Sequence, residues 1–532
     1  MIITNAANDN RLPQTMGVRY GEWLSSLTGA RRKALLMILG VFATLSLPPF
    51  FAFPLLFSSF SSLLWLIIHS KTDKEAFGAG WWFGAGFFVS GLYWFAYALL
   101  VDAAKFGWMI PFAVFGISGI LAIYTGVVAW LTRLLRHHDR FNWVLGFAAL
   151  WMAGEWLRGY LFTGFPWNLI GYSFNGSEVT LQAASIFGAY GLGGIVVLVS
   201  SLPVLFMVPI RASGQRRINA IVSGVIFLLL LALGMWGQQR LMAHPPKNIA
   251  NVRVRLVQPA TDQYHKSNPS ERQGLIRQQI EMSLSAGFET ITHVVWPETA
   301  MPYYFSSHDY WASELAQVVP AGGLLLTGVV RPETSKSGDK LLNIYNSFSA
   351  LDDSGRVVAQ YDKRKLVPFG EFVPLRHVLP LDKITPGAID FTSGKRSGLV
   401  ETVMGVQFFP LICYESIFPH LSAGAWPASL LNITNDGWFG LSTGPYQHLE
   451  MSRMRAVEQG VAMIRASNSG VSAVFDPYGR EVASLGLGKR GVLDSAVPES
   501  TSQPTFYGLY GEALELGLLL VALLFCILRR NR

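Results

Sequence analysis

Apolar residues dominate both ends of the chain and alternate with polar ones in between. Seven apolar runs precede residue 240, at roughly 34–47, 50–69, 77–101, 107–132, 143–162, 180–210 and 219–238, and an eighth spans about 512–528. A bilayer is crossed by about 20 apolar residues. The pattern therefore predicts eight membrane-spanning helices, the first of them short. The first two meet at Pro48-Pro49 and predict a tight hairpin. A single span broken by proline competes with it, but 34–69 is too long to cross once. The sixth run is long for one helix, and Gly188, Gly191, Gly193 and Gly194 mark a lead-in.

Between the apolar ends the period changes. Val252–Val257 alternates like a strand, and Pro269–Leu284 reads as a helix capped by Asn268. Further strands are expected at Ile291–Trp296, Gly323–Val330, Tyr345–Leu351, Val357–Tyr361, Gly405–Cys413, Leu430–Thr434, Val471–Phe475 and Val492–Ala496. Leu449–Glu458 is expected to be helical. Asp352-Asp353-Ser354-Gly355 and Asp476-Pro477-Tyr478-Gly479 are turns. Many strands with few helices predict a layered α/β sandwich. The expected domains are a seven-helix membrane domain over 1–245, a water-soluble domain over 246–505 and an eighth membrane helix in 506–532.

Composition supports this division. Hydrophobic residues make up 51% and charged residues 14%, against about 25% charged in soluble domains. The net charge of +8 could suggest nucleic acid. Its distribution argues otherwise. Arg31, Arg32 and Lys33 precede the first span, and Lys71 and Lys74 follow the second. Arg133, Arg136 and Arg140 follow the fourth; Arg211, Arg216 and Arg217 follow the sixth; Arg529, Arg530 and Arg532 follow the eighth. By the positive-inside rule both termini are cytoplasmic, so the soluble domain lies on the side away from the cytoplasm, which in a Gram-negative cell would be the periplasm. No cleavable leader is expected at residues 1–30, which are polar and mixed.

The two cysteines, Cys413 and Cys526, form no disulfide framework, and there is no CxxC or His/Cys cluster for a metal. Nor is there a P-loop or dinucleotide fingerprint, so no metal or cofactor is expected.

Three segments share one form, an apolar strand ending in a polar residue: Trp296-Pro297-Glu298, Tyr361-Asp362-Lys363 and Ile412-Cys413-Tyr414-Glu415. Strand ends collect catalytic groups in layered α/β folds. A carboxylate, an ammonium and a thiol suit acyl transfer through a thioester. The carboxylate takes the thiol proton, the sulfur attacks and holds the acyl group, and the ammonium stabilises the oxyanion and lowers the thiol pKa. Singly, each has a plain alternative: Cys413 a small buried hydrophobe, Glu298 a solvated loop carboxylate, Lys363 part of an exposed basic run.

Together, Trp-Pro-Glu at 296–298, Tyr-Asp-Lys-Arg-Lys-Leu-Val-Pro-Phe-Gly-Glu at 361–371, Cys-Tyr-Glu at 413–415 and Asn-Ile-Thr-Asn-Asp-Gly-Trp-Phe-Gly at 432–440 resemble the nitrilase superfamily. The likeness is closest to its membrane-bound branch, the apolipoprotein N-acyltransferases, and extends from about Leu36 to Leu528. It implies a nitrilase-like αββα sandwich beside a multi-span helical domain. It also implies Glu298 as general base, Lys363 as oxyanion and orienting group, and Cys413 as nucleophile. Glu371 matches a second carboxylate near the site, and Tyr414 and Glu415 match supporting residues. Trp438 and Phe439 match a lipid-facing wall. The implied partners are a phospholipid acyl donor, with phosphatidylethanolamine expected, and a diacylated apolipoprotein acceptor; a monomer is expected. Two departures stand out. Gly437 replaces a frequent Ala, and Pro259-Ala260-Thr261 replaces Gly-Asn-X, so nothing is carried over from that loop.

Two further segments invite a role. Glu155 and Arg158 lie near the end of the fifth span, where ionisable groups are costly. They form either a functional site or an i, i+3 ion pair. Phe162-Thr163-Gly164-Phe165-Pro166-Trp167-Asn168, with Tyr172, suits the headgroup interface and either lines a lipid path or is a plain anchor. A membrane-tethered amidase or nitrilase acting on a small amide is the alternative enzyme. A transporter with a sensor domain would need more paired charges within its spans.

Overall fold

A computed structural model describes residues 15–135, 140–207, 213–304, 310–335, 340–376, 378, 382–385, 389–395, 399–401 and 405–528. Arg136, Arg211, Arg529, Arg530 and Arg532, used above to orient the chain, lie outside these residues.

Helices cover all eight apolar runs: Gly29–Leu45, Leu55–Ile68, Asp73–Leu92, Ile117–Leu134, Arg140–Tyr160, Ala184–Ser201, Ser213–Ala243 and Ala513–Leu528. Ala103–Leu134, Ala184–Phe206 and Gly214–Ala243 are long and apolar enough to cross a membrane, while Leu55–Ile68 and Ala513–Leu528 are apolar but shorter. The helices pack through small residues, as membrane bundles do. A Cβ on Gly40 would lie 2.1 Å from the Phe83 carbonyl oxygen, and one on Gly86 would lie 2.1 Å from that of Met37. The first two helices do form the expected hairpin, for the Ser59 hydroxyl donates to the Leu39 carbonyl across it at 2.6 Å. The sixth helix is broken at Gly188, whose φ is 58°. A side chain there would strike Tyr507 at 2.2 Å and Glu515 at 2.4 Å.

The soluble part consists of two sheets. With β3 (Met301–Tyr304), β7 (Val400–Glu401), β11 (Ser472–Phe475), β12 (Glu481–Leu485), β13 (Gly491–Pro498) and the strands given next, one has the order β13-β1-β2-β4-β5-β6, with β3 on β4; the other runs β12-β11-β10-β9-β8-β7. The strands that matter for the site are β1 (Asn248–Gln258), β2 (His293–Val295), β4 (Leu324–Thr334), β5 (Leu341–Leu351), β6 (Val357–Asp362), β8 (Gln407–Ile412), β9 (Ser429–Thr434) and β10 (Met463–Ser467). Side chains alternate across each strand. Val254, Leu256 and Phe348 of the first sheet thus meet Phe408, Ile433 and Ile464 of the second in one shared core. Outside the first sheet, Val257, Val294 and Leu325 pack on Ile276 and Ile280 of the Arg272–Ser283 helix. Outside the second, Phe409, Leu411 and Met463 pack on Leu449, Met454 and Val457 of the Gly444–Gln459 helix. That last cluster continues into Phe60, Trp151 and Trp167 of the membrane part. The expected αββα sandwich is therefore present, and one of its helical layers is welded to the membrane helices.

Several details differ from the sequence reading, including four strands it did not contain, β3, β7, β10 and β12. The helix expected from Pro269 begins at Arg272. Asn268 instead ends a separate short helix, Gln263–Ser267, and its Oδ1 accepts from the Ser270 backbone N–H at 3.1 Å. Strand β10 was not foreseen, because Arg465 interrupts its apolar run; that arginine is buried and paired with Asp436 at 2.6 Å.

Candidate active site

Topology brings the three strand ends together. β2 is parallel to β4, β5 is antiparallel to β4, and β6 is antiparallel to β5. β6 therefore runs in the same direction as β2, and Glu298 and Lys363 leave the same edge of the sheet. The loop carrying Glu298 lies close on β4: a Cβ on Gly328 would come within 2.7 Å of the Glu298 Cα. Cys413 follows β8 with φ at 49°, a left-handed conformation that costs a non-glycine residue about 1–2 kcal/mol.

The Lys363 ammonium, 1% exposed, lies 3.2 Å from Glu298 Oε1 and 3.0 Å from Glu371 Oε1. Asn346 Nδ2 donates to the same two oxygens at 2.8 and 2.7 Å. Glu371 Oε2 accepts from the Val367 N–H at 2.8 Å. Burial pushes the Glu298 pKa up, but Lys363 and Asn346 outweigh it and hold the carboxyl below its usual range. Burial pushes Lys363 down, but Glu298 and Glu371 outweigh it, so the ammonium stays charged. Around the Cys413 thiol the balance falls the other way. Burial and Glu298 push its pKa up; Lys363 pulls it down without compensating. The ammonium does pull the thiol pKa down, as expected, but desolvation is the larger effect. The resting pair is an ionised carboxylate beside a protonated thiol.

Residues 39–202 match the family model described as the apolipoprotein N-acyltransferase N-terminal domain, and residues 253–507 match that described as carbon-nitrogen hydrolase. A protein named apolipoprotein N-acyltransferase from Rhodopseudomonas palustris is 39% identical over 523 residues, covering 95% of this chain and 96% of its own. One from Brucella melitensis is 38% identical over 491 residues, covering 89% and 91%. One from Rickettsia prowazekii is 34% identical over 501 residues, covering 94% and 98%.

The chain belongs to the apolipoprotein N-acyltransferase family.

A solved amidase from Nesterenkonia sp. also aligns, at 21% identity and a TM-score of 0.36, over 52% of this chain and 98% of its own.

In this apolipoprotein N-acyltransferase family member, the remaining residues singled out above divide by place. Glu415 does not face the thiol. Its Oε1 accepts from the Tyr361 hydroxyl at 2.8 Å and the Arg364 N–H at 2.7 Å, and its Oε2 from the Ile412 N–H at 2.8 Å. It therefore ties the Lys363 loop to the end of β8. Tyr414 reaches the membrane part, donating to the Gly164 carbonyl at 2.9 Å. Phe439 packs against Trp94 (4.4 Å between ring centroids) and Trp167 (5.6 Å), forming a wall shared by both domains. Trp438 is half-buried on the same turn.

The aromatic loop is therefore part of the site's surroundings. Glu155 and Arg158 hold it there, although the structure records no ion pair between the two. Arg158 Nη1 donates to the Phe165 and Trp167 carbonyls at 2.8 and 2.6 Å, and Glu155 Oε1 accepts from the Ile170 N–H at 2.9 Å. Phe162 projects from the loop, 91% exposed.

Three features escaped the sequence reading. Asn346 was only a polar residue within a strand. Lys266 stands on the short Gln263–Ser267 helix; its ammonium donates to the Glu298 main-chain carbonyl at 2.8 Å. Burial pulls its pKa down to about 8 against the opposing pull of Glu298 and Cys413. The third is a buried polar network around His448, taken up below.

The divergent loop at Pro259-Ala260-Thr261 carries strain. Ala260 sits at φ 49°, a conformation Asn tolerates better than Ala. Ala260→Asn is expected to stabilise the protein by about 0.5–1 kcal/mol, read as slower thermal unfolding in detergent. Unchanged or faster unfolding would contradict the strain.

Proposed function

We propose that this protein N-acylates lipoproteins at the membrane surface, by way of a thioester on Cys413. The supporting observation is the placement of one buried ammonium, Lys363, between Glu298 and Glu371 and beside a thiol, in a site walled by a loop of the membrane part. Glu298 takes the Cys413 proton as the sulfur attacks the ester carbonyl of a phospholipid, with phosphatidylethanolamine the donor assigned. Lys363 faces the oxyanion. The lysophospholipid alkoxide leaves with the proton held by Glu298, and the acyl chain remains on sulfur. The α-amine of a diacylglyceryl-cysteine then attacks the thioester, loses a proton to Glu298 and returns the thiol. General base catalysis of such steps is worth about 10²–10⁴-fold. Glu371, Asn346 and Glu415 hold the geometry.

The eight helices would all cross the membrane, with both termini cytoplasmic and residues 246–505 periplasmic. Confining both lipid substrates to the bilayer supplies their proximity. An introduced Ser335→Cys should react with an impermeant thiol reagent in intact spheroplasts; protection there would reverse the orientation.

The activity is tested with purified protein, a phospholipid labelled in its acyl chain and a diacylated lipopeptide. Labelled triacylated lipopeptide is expected. Release of free fatty acid without lipopeptide product would make the site a hydrolase instead.

A further inference from the structure

We propose that His448 is a positioning residue for the nucleophile: its ring pins the Cys413 carbonyl and so maintains the backbone turn that aims the sulfur. The proposal rests on the reading of Cys413 as the nucleophile.

The Cys413 carbonyl is the meeting point of three side chains. His448 Nε2 lies 3.1 Å away, Ser416 Oγ 3.2 Å and Asn432 Nδ2 3.5 Å. A carbonyl can only accept, so this contact requires the hydrogen on Nε2, which also lies 3.0 Å from Ser416 Oγ. His448 stands on the Gly444–Gln459 helix, fully buried, with the Trp167 and Phe439 rings packed on it at 5.5 and 5.9 Å. Arg465 Nη2 on β10 lies 3.1 Å from His448 Nδ1 and donates to Asp436 Oδ2 at 2.6 Å. Asp436 Oδ1 lies 2.9 Å from Nδ1 and accepts from Thr434 Oγ1 at 3.0 Å. Arg465 also donates to Asn432 Oδ1 and, at 3.0 Å, to Ser452 Oγ, which in turn donates to Ser416 Oγ at 3.1 Å. Burial and the Arg465 charge hold the His448 pKa below its usual value.

Buried ionic networks are often no more stabilising than apolar packing. What this one does is geometric: its members converge on a single acceptor. The Cys413–Tyr414 peptide is planar, so fixing its carbonyl fixes the opposite direction of the Tyr414 N–H and the torsion at Cys413. Cys413 has no intrinsic preference for φ 49° and needs an outside restraint to stay there. A displacement of about 1 Å at a reacting atom costs about 100-fold.

The test compares His448→Met, which fills the space without a donor, with His448→Gln, which fills it with one. Acylation of Cys413 is followed by intact mass at several phospholipid concentrations, per mole of monodisperse protein. His448→Met should lower the limiting acylation rate about 100-fold, with half-saturation within about twofold of the wild type. His448→Gln should recover to within about fivefold. A Met variant within about threefold of wild type would overturn the proposal, as would a Gln variant as slow as Met. So would a Met variant that fails to fold while Gln folds and works, since the ring's contribution would then be to stability. Wild-type protein that forms no adduct would instead bring down the nucleophile assignment itself.

Discussion

Lys363→Met is expected to leave a protein about 3–5 kcal/mol less stable than wild type at neutral pH, with adduct formation on Cys413 lost. Glu298 and Glu371 are both buried and share the Lys363 ammonium. Removing it leaves two carboxylates facing each other without the charge that offsets their desolvation. The sign of the pH dependence follows. In the wild type the folded Glu298 pKa is depressed, so its contribution is present above the unfolded pKa and lost only as pH falls through the folded value. In Lys363→Met the burial of Glu298 is no longer outweighed, and its pKa moves above the unfolded value. Its contribution then weakens as pH rises through that raised value. The stability gap between variant and wild type should therefore be narrower at pH 5 than at pH 8. Thermal unfolding in detergent at the two pH values measures this; a gap that is equal or wider at pH 5 would contradict the buried ion arrangement.

Glu298→Gln should keep the fold and lower the rate of Cys413 acylation by about 10³-fold at pH 7. The amide preserves volume and can still accept from Lys363, but it cannot take a proton. The pH profiles should differ in shape. With Glu298 held below the ordinary carboxyl range, the wild-type rate should be flat from about pH 6 upward. In the variant the only route is through pre-formed thiolate. The thiol is pushed above its ordinary value by burial, though part of that push comes from Glu298 itself. The variant rate should therefore climb about tenfold per pH unit through pH 9. Single-turnover rates across pH 6–9 decide this, and a variant profile parallel to the wild type would remove Glu298 from the proton-transfer step.

The reach of the sequence can be judged residue by residue. The nearness of Glu298, Lys363 and Cys413 was legible because each follows an apolar strand within three residues, and the sheet topology carries those strand ends to one place. The three long apolar helices were legible because bilayer thickness sets a length that composition must meet. What escaped depends on distance across the fold. Asn346 pairs with Glu298 and Glu371 from 48 and 25 positions away, and no local pattern marks it. Arg465 looked like a break in an apolar run, because its partner Asp436 sits on another segment. Glu155 and Arg158 do share a helix face, but the arginine side chain is long enough to reach the Phe165 and Trp167 carbonyls instead. The strained turn at Cys413 has no signature in residue type at all.

The most direct test is the intact mass of purified protein after incubation with phospholipid. Wild-type protein should gain one acyl chain, lose it when a diacylated lipopeptide is added, and show no gain as Cys413→Ala. A wild type of unchanged mass, or an equal adduct on Cys413→Ala, would contradict a thioester at this sulfur.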